Sequence, residues 1–116
     1  MFLSQLDQGQ KELLYHLAYS VVVSDGEFSA EEELSMMDMR REMALPEDLE
    51  PHYLEVKGLE KKFLSHRSRI IAIIALTHLG YVDGAFEIEE KSYLYELCQV
   101  FNISNDLFTR INNWVR

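Results

Sequence analysis

One short motif occurs twice in this chain. Residues 24–33 read SDGEFSAEEE and residues 82–91 read VDGAFEIEEK, and placing Asp25 on Asp83 sets an offset of 58 residues. The same offset puts Gly26 on Gly84, Phe28 on Phe86, Glu31 on Glu89 and Glu32 on Glu90. Farther along it pairs Met36 with Leu94, Met39 with Leu97, Met43 with Phe101, Leu45 with Ile103, and Asp48-Leu49 with Asp106-Leu107. A chain that repeats in this way is expected to build its fold from two similar units, about 13–49 and 71–107. Each unit reads as a helix, an Asp-Gly turn, a second helix and a short polar turn.

The periodicity between these landmarks is helical. Leu6, Leu13, Leu14, Leu17, Ala18, Val21 and Val22 recur at three- and four-residue steps, and Ser4 is read as the N-cap of that first helix. Ser29 and Glu32 have capping-box spacing, with Met36, Met37, Met39 and Met43 following on apolar faces. A helix weakened by Gly58 is expected over 53–63, then a strongly apolar and therefore central helix over 67–81. Helices over 87–101 and 105–114, the latter capped by Ser104, complete an all-α bundle of six or seven helices with pseudo-two-fold organisation. A chain of 116 residues, 47 % hydrophobic, is read as one domain, 1-116, with a real core.

Charge is distributed unevenly over this pattern. The formal net charge is −9, which argues against DNA, RNA or an anionic membrane surface as the main partner. From Asp25 to Glu50 the local net is −8 and from Asp83 to Glu96 it is −4, whereas residues 51–69 carry +3. Acid therefore sits on the repeated motif and base on the connector between its copies. One cysteine, Cys98, excludes a disulfide framework or a Cys-rich zinc site within one chain. The N-terminus lacks the basic and apolar regions of a signal peptide, and Ile70 to Leu76 is too short to cross a bilayer. A cytoplasmic location is the expectation.

A doubled DGxFxxEE-type element in a short all-α chain resembles the TerB-like domain family. That family is named after a tellurite-resistance protein and is related to the N-terminal domain of a membrane-anchored DnaJ-type co-chaperone. The resemblance runs from about Leu13 to Leu107. It implies a compact helical bundle and an acidic site for divalent metal, which by residue match is Asp25, Glu31, Glu32, Asp83, Glu89 and Glu90. The second copy departs from the first in carrying Glu87 where Ser29 caps the first.

Three functional readings follow. Clustered carboxylates in turns suit hard, oxygen-loving cations such as Ca²⁺ and Mg²⁺; a divalent cation (Ca²⁺, Mg²⁺ or Zn²⁺) is the candidate cofactor and no organic cofactor is implied. Neither copy has EF-hand spacing. The bland counterpart is that acids in the first turn of a helix stabilise it with no metal at all. A second reading is an interaction module of the stress response, docking a basic protein partner on the acidic face. The third, an enzyme, finds no HExxH, GxSxG, phosphate-loop or dinucleotide fingerprint, and catalysis is not expected. Cys98 lies on an apolar pattern and is read as buried; His78 is placed to reach toward Asp83. Trp114 is expected to seal the last helix onto the core; exposed, it would mark a self-association surface and a homo-oligomer.

Overall fold

A computed structural model describes residues 2–24, 26, 28–82 and 88–115, with the side chains of 88–90 left aside. Among the described residues there are five α-helices: α1 (Gln8–Val23), α2 (Ala30–Glu42), α3 (His66–Gly80), α4 (Ile88–Val100) and α5 (Asn105–Val115). Single 3-10 turns lie at Leu3–Gln5 and Leu59–Lys61, and no strand occurs among the described residues. No helix among them is long and apolar enough to cross a membrane.

The helix starts follow side-chain capping. Asp7 rather than Ser4 caps α1: its carboxylate accepts the Gln10 N–H at 2.8 Å, and the Gln10 side chain accepts the Asp7 N–H at 3.0 Å. Ser4 falls inside the first 3-10 turn instead, because that reciprocal pair starts the helix three residues later. Ser29 and Glu32 form the anticipated box at α2, while Ser65 and Ser104 accept N–H groups of Ser68 and Leu107 at α3 and α5. Each cap satisfies donors that the first turn leaves without a helical partner.

Helix positions keep the spacing of the sequence repeat. Residues 8 and 66 open α1 and α3, and α2 and α4 correspond at both ends (30 with 88, 42 with 100). Both of the latter close in the same way. Leu45 N–H bonds Arg40 C=O at 3.0 Å, and Ile103 N–H bonds Cys98 C=O at 2.8 Å. Between them Ala44 and Asn102 take φ of 55° and 58°, the left-handed residue of a Schellman ending.

The connector departs from this regularity. The helix expected over 53–63 does not form; Leu59–Lys61 make the one helical turn there, of 3-10 type, and Gly58 before them sits at φ 87°. Gly58 interrupts that segment from within, and Pro51 bars a counterpart of α5 just before it. Pro51 stands where the second half has Thr109, inside α5, and a proline there would remove a helical N–H and clash with the preceding turn.

Buried side chains from all five α-helices and both turns join one apolar cluster. As the sequence suggests, α3 is its centre: it buries nine of fifteen residues and packs on each of the other four helices. Phe63 and Phe101, both fully buried, meet with ring centroids 5.4 Å apart. Beside them Arg69 donates to three backbone carbonyls, Phe63 at 2.6 Å, Phe101 at 3.1 Å and Glu60 at 3.0 Å. Its guanidinium carbon lies 5.7 Å from the Phe101 ring centroid. One cation thus ties the connector and the end of α4 to α3, with a planar fork that lysine does not have.

Two stability measurements check this account. Arg69→Ala should lower unfolding free energy by about 2 kcal/mol, and Arg69→Lys should recover only part of it, because charge alone cannot span three carbonyls. Ala44→Gly should raise stability by about 0.5 kcal/mol, since relief of left-handed strain exceeds the added chain entropy. Urea unfolding reads both; a destabilised Ala44→Gly variant would refute the assigned helix ending.

Candidate functional site

The six matched acids fall into three groups. Asp25 and Asp83 lie outside the described residues. Glu89 and Glu90 are on the first turn of α4 by backbone, with side chains outside the described set. Glu31 and Glu32 are fully described, and they differ. Glu31 is exposed at the start of α2. Glu32 is only 2 % exposed, and its carboxylate accepts the Ser29 N–H at 3.0 Å while Ser29 Oγ accepts the Glu32 N–H at 3.1 Å. One carboxylate of the expected ligand set is therefore already engaged in a cap. Among the described residues, no group of three or more His, Cys, Asp or Glu side chains is placed to hold a metal ion.

The exposed acids of α2 divide between two flanks, as 100° per residue requires. On one, Glu33 and Met37 border a hollow of about 390 Å³, completed by Tyr15, Phe28, Met36 and Pro51. Phe28 stands at the edge of this hollow. It packs on Tyr19 at 6.3 Å between centroids and stays 42 % exposed at the rim. Met36, Met39 and Met43 are core, so Met37 is the half-buried methionine of the run; it lines the groove together with the buried Met36. On the other flank Asp38 and Glu42 line a smaller hollow of about 220 Å³ with His78. Glu42 also accepts the Leu3 N–H at 3.3 Å, which fixes the first 3-10 turn against α2.

A polar strap crosses α1, and nothing in the sequence marked it. The extended stretch around His52 to Leu54 gives its N–H groups to side chains one helical turn apart. His52 N–H bonds His16 Nδ1 at 3.2 Å, and Leu54 N–H bonds Ser20 Oγ at 2.9 Å. The Tyr93 hydroxyl donates to Leu54 C=O at 2.7 Å from α4. His16 is 8 % exposed, and its ring lies on that of His52 with centroids 3.8 Å apart. Burial first, and then the neighbouring His52, lower the His16 pKa, with Glu12 opposing them. Spacing of four between His16 and Ser20 is the only signal, and it is indistinguishable from an ordinary polar stripe.

The other reactive groups are placed as follows. Cys98 is 1 % exposed and burial pushes its thiol up to about 12, which keeps it protonated at neutral pH. Burial likewise pushes the Tyr93 phenol up to about 12. His66 and His78 are exposed on α3, and Trp114 is 70 % exposed rather than folded onto the core. Comparisons with protein-family models, with curated proteins and with solved structures give no match.

The strap makes stability depend on pH. His16 must be neutral for Nδ1 to accept the His52 N–H, and its folded pKa lies below the ordinary value of 6.5. The unfolded chain therefore holds a proton there that the folded chain rejects. Stability is complete above about 6.5 and falls as pH drops through that value. Melting temperatures from pH 8 to 5 should show the fall. His16→Asn, whose amide oxygen can accept the same N–H without titrating, should flatten it; an unchanged slope would exclude His16 as the source.

Proposed function

We propose that this chain is a non-enzymatic, TerB-like interaction domain whose acidic side docks a basic, amphipathic protein segment. The hollow beside α2 carries the reading. Its floor is apolar and adaptable (Tyr15, Phe28, Met36, Met37, Pro51), and Glu33 on its wall supplies negative charge. Thioether and aromatic side chains accommodate varied apolar residues, and a carboxylate beside them selects cationic neighbours. The local net charge of −8 between Asp25 and Glu50 acts in the same sense, by steering such a segment toward this side. The doubled organisation that underlies the resemblance is supported by the matched bounds of α2 and α4 and by their matched endings at Ala44 and Asn102. The resemblance associates such a domain with stress response or tellurite resistance in the cytoplasm.

Divalent metal binding is the second reading. Its support is that Glu31 and Glu32 on α2, and Glu89 and Glu90 on α4, begin helices at corresponding positions. Glu31 is the informative ligand to test, because altering Glu32 removes a helix cap whatever the metal does.

The docking reading is checked by fluorescence anisotropy with a labelled Leu/Lys amphipathic peptide. Binding should weaken as salt rises and should weaken about tenfold further in Glu33→Lys, equivalent to roughly 1.4 kcal/mol. Absence of binding at low salt would overturn it. For the metal reading, calorimetric titration with Ca²⁺, Mg²⁺ and Zn²⁺ should give heat that Glu31→Gln diminishes; no heat and no shift in melting at millimolar ion would exclude it.

A further inference from the structure

We propose that the outer face of α3 is a self-association surface, pairing two copies of this chain about a two-fold axis. The face is apolar at its middle. Ile70 and Ile74, one turn apart and half-buried, lie in two adjoining hollows that share Ile74 and Phe2. Trp114 and Val115 border the second hollow, and Trp114 is 70 % exposed. A large aromatic side chain at the edge of an aliphatic groove is the usual anchor of a protein interface and a poor residue to leave in water.

The corresponding face of α1 shows what such a position carries when it is covered. Counting back 58 residues, Ile70, Ile74 and His78 match Glu12, His16 and Ser20. The last two hold the strap at His52 and Leu54, so on α1 the chain covers its own helix. On α3 Ile74 stands in the place of His16, and Ile70 before it is aliphatic as well. Ile74 cannot accept a backbone N–H as His16 does, so this face favours apolar packing over another strap.

Charge at the two ends selects the occupant. His66 and Arg67 line the groove at the start of α3. At the other end His78 is shared with the hollow lined by Asp38 and Glu42. The face therefore runs from basic to acidic along α3, about 18 Å from residue 66 to residue 78 at 1.5 Å per residue. An antiparallel two-fold pairing places the basic end of each copy on the acidic end of the other, and Ile70 of each copy on Ile74 of the other, with Trp114 at the edge of the shared apolar seam. A surface of this kind is self-complementary, as an isologous dimer requires. The net charge of −9 opposes association at long range, but at physiological salt the screening length is about 8 Å, so the contact is governed by its local charges.

Sedimentation equilibrium over the micromolar range tests this, with Trp114, the chain's single tryptophan, as a second probe. The wild-type chain should show a monomer–dimer equilibrium, with Trp114 emission moving to the blue as dimer forms. Ile74→Glu should leave a monomer. Arg67→Glu, an exposed site where folding is not at stake, should weaken the dimer at least tenfold, and Arg67→Glu with Asp38→Arg should restore it. That restoration arises only if the two ends meet across copies. A single monomeric mass throughout overturns the proposal, as does a dimer indifferent to Ile74→Glu and Arg67→Glu. A monomer whose Trp114 emission shifts on adding a Leu/Asp-rich peptide overturns it too, and assigns the face to an acidic partner instead.

Discussion

Between α2 and α3 the backbone has no α-helix to satisfy it, and much of the polar architecture exists to supply that need. Unpaired N–H and C=O groups against a core are costly, so each must find a partner. Here side chains provide them. His16 and Ser20 take N–H groups of the strap, Tyr93 gives its hydroxyl to Leu54, and Gln10 donates to Lys62 C=O at 3.1 Å. Arg69 serves Glu60 and Phe63 from the far side. The connector is thus held by α1, α3 and α4 together, and it holds them in turn. Its basic residues are not one functional group: Arg69 is structural, whereas Arg67 two positions earlier is exposed.

The regular part of the fold was legible because several local signals agreed. Ser29 and Glu32 announced α2, apolar density announced a central α3, and the offset of 58 anticipated corresponding helices. What was misread was a competition between two weak signals. Ser4 and Asp7 are both good caps, and only the return bond from Gln10 decides between them. Over 53–63 the apolar spacing resembled a helix, yet Pro51 and Gly58 break the segment before and within it. A repeat read from conserved-looking turns says little about the segments where its copies diverge.

The candidate site was less legible, for a physical reason. Sequence reports how many carboxylates a segment carries but not which of them already have work. Glu32 and Glu31 are neighbours in the motif and look equivalent, but one is buried in a cap and the other faces water. The groove beside α2 was visible only as a run of methionines, and whether Met37 or Met36 faces outward depends on how α2 is rotated against α1 and α3. The strap left no trace, since a histidine accepting a distant backbone N–H is unremarkable in sequence.

Cap and ligand are also competing roles, and their competition bears on any cation at this motif. The Glu32 carboxylate is held by the Ser29 N–H at the positive end of α2. A cation drawing on the same oxygen would release that N–H into a nearly closed environment. The exchange is favourable only if other ligands more than compensate, and Glu31 projects 100° away around the helix. Binding through Glu31 and residues outside the cap avoids the exchange altogether. The acid count of the motif therefore overstates its ligand count: at least one Glu in the first copy is committed to starting the helix, and the charge left for a partner, ion or protein, belongs to the exposed remainder of α2.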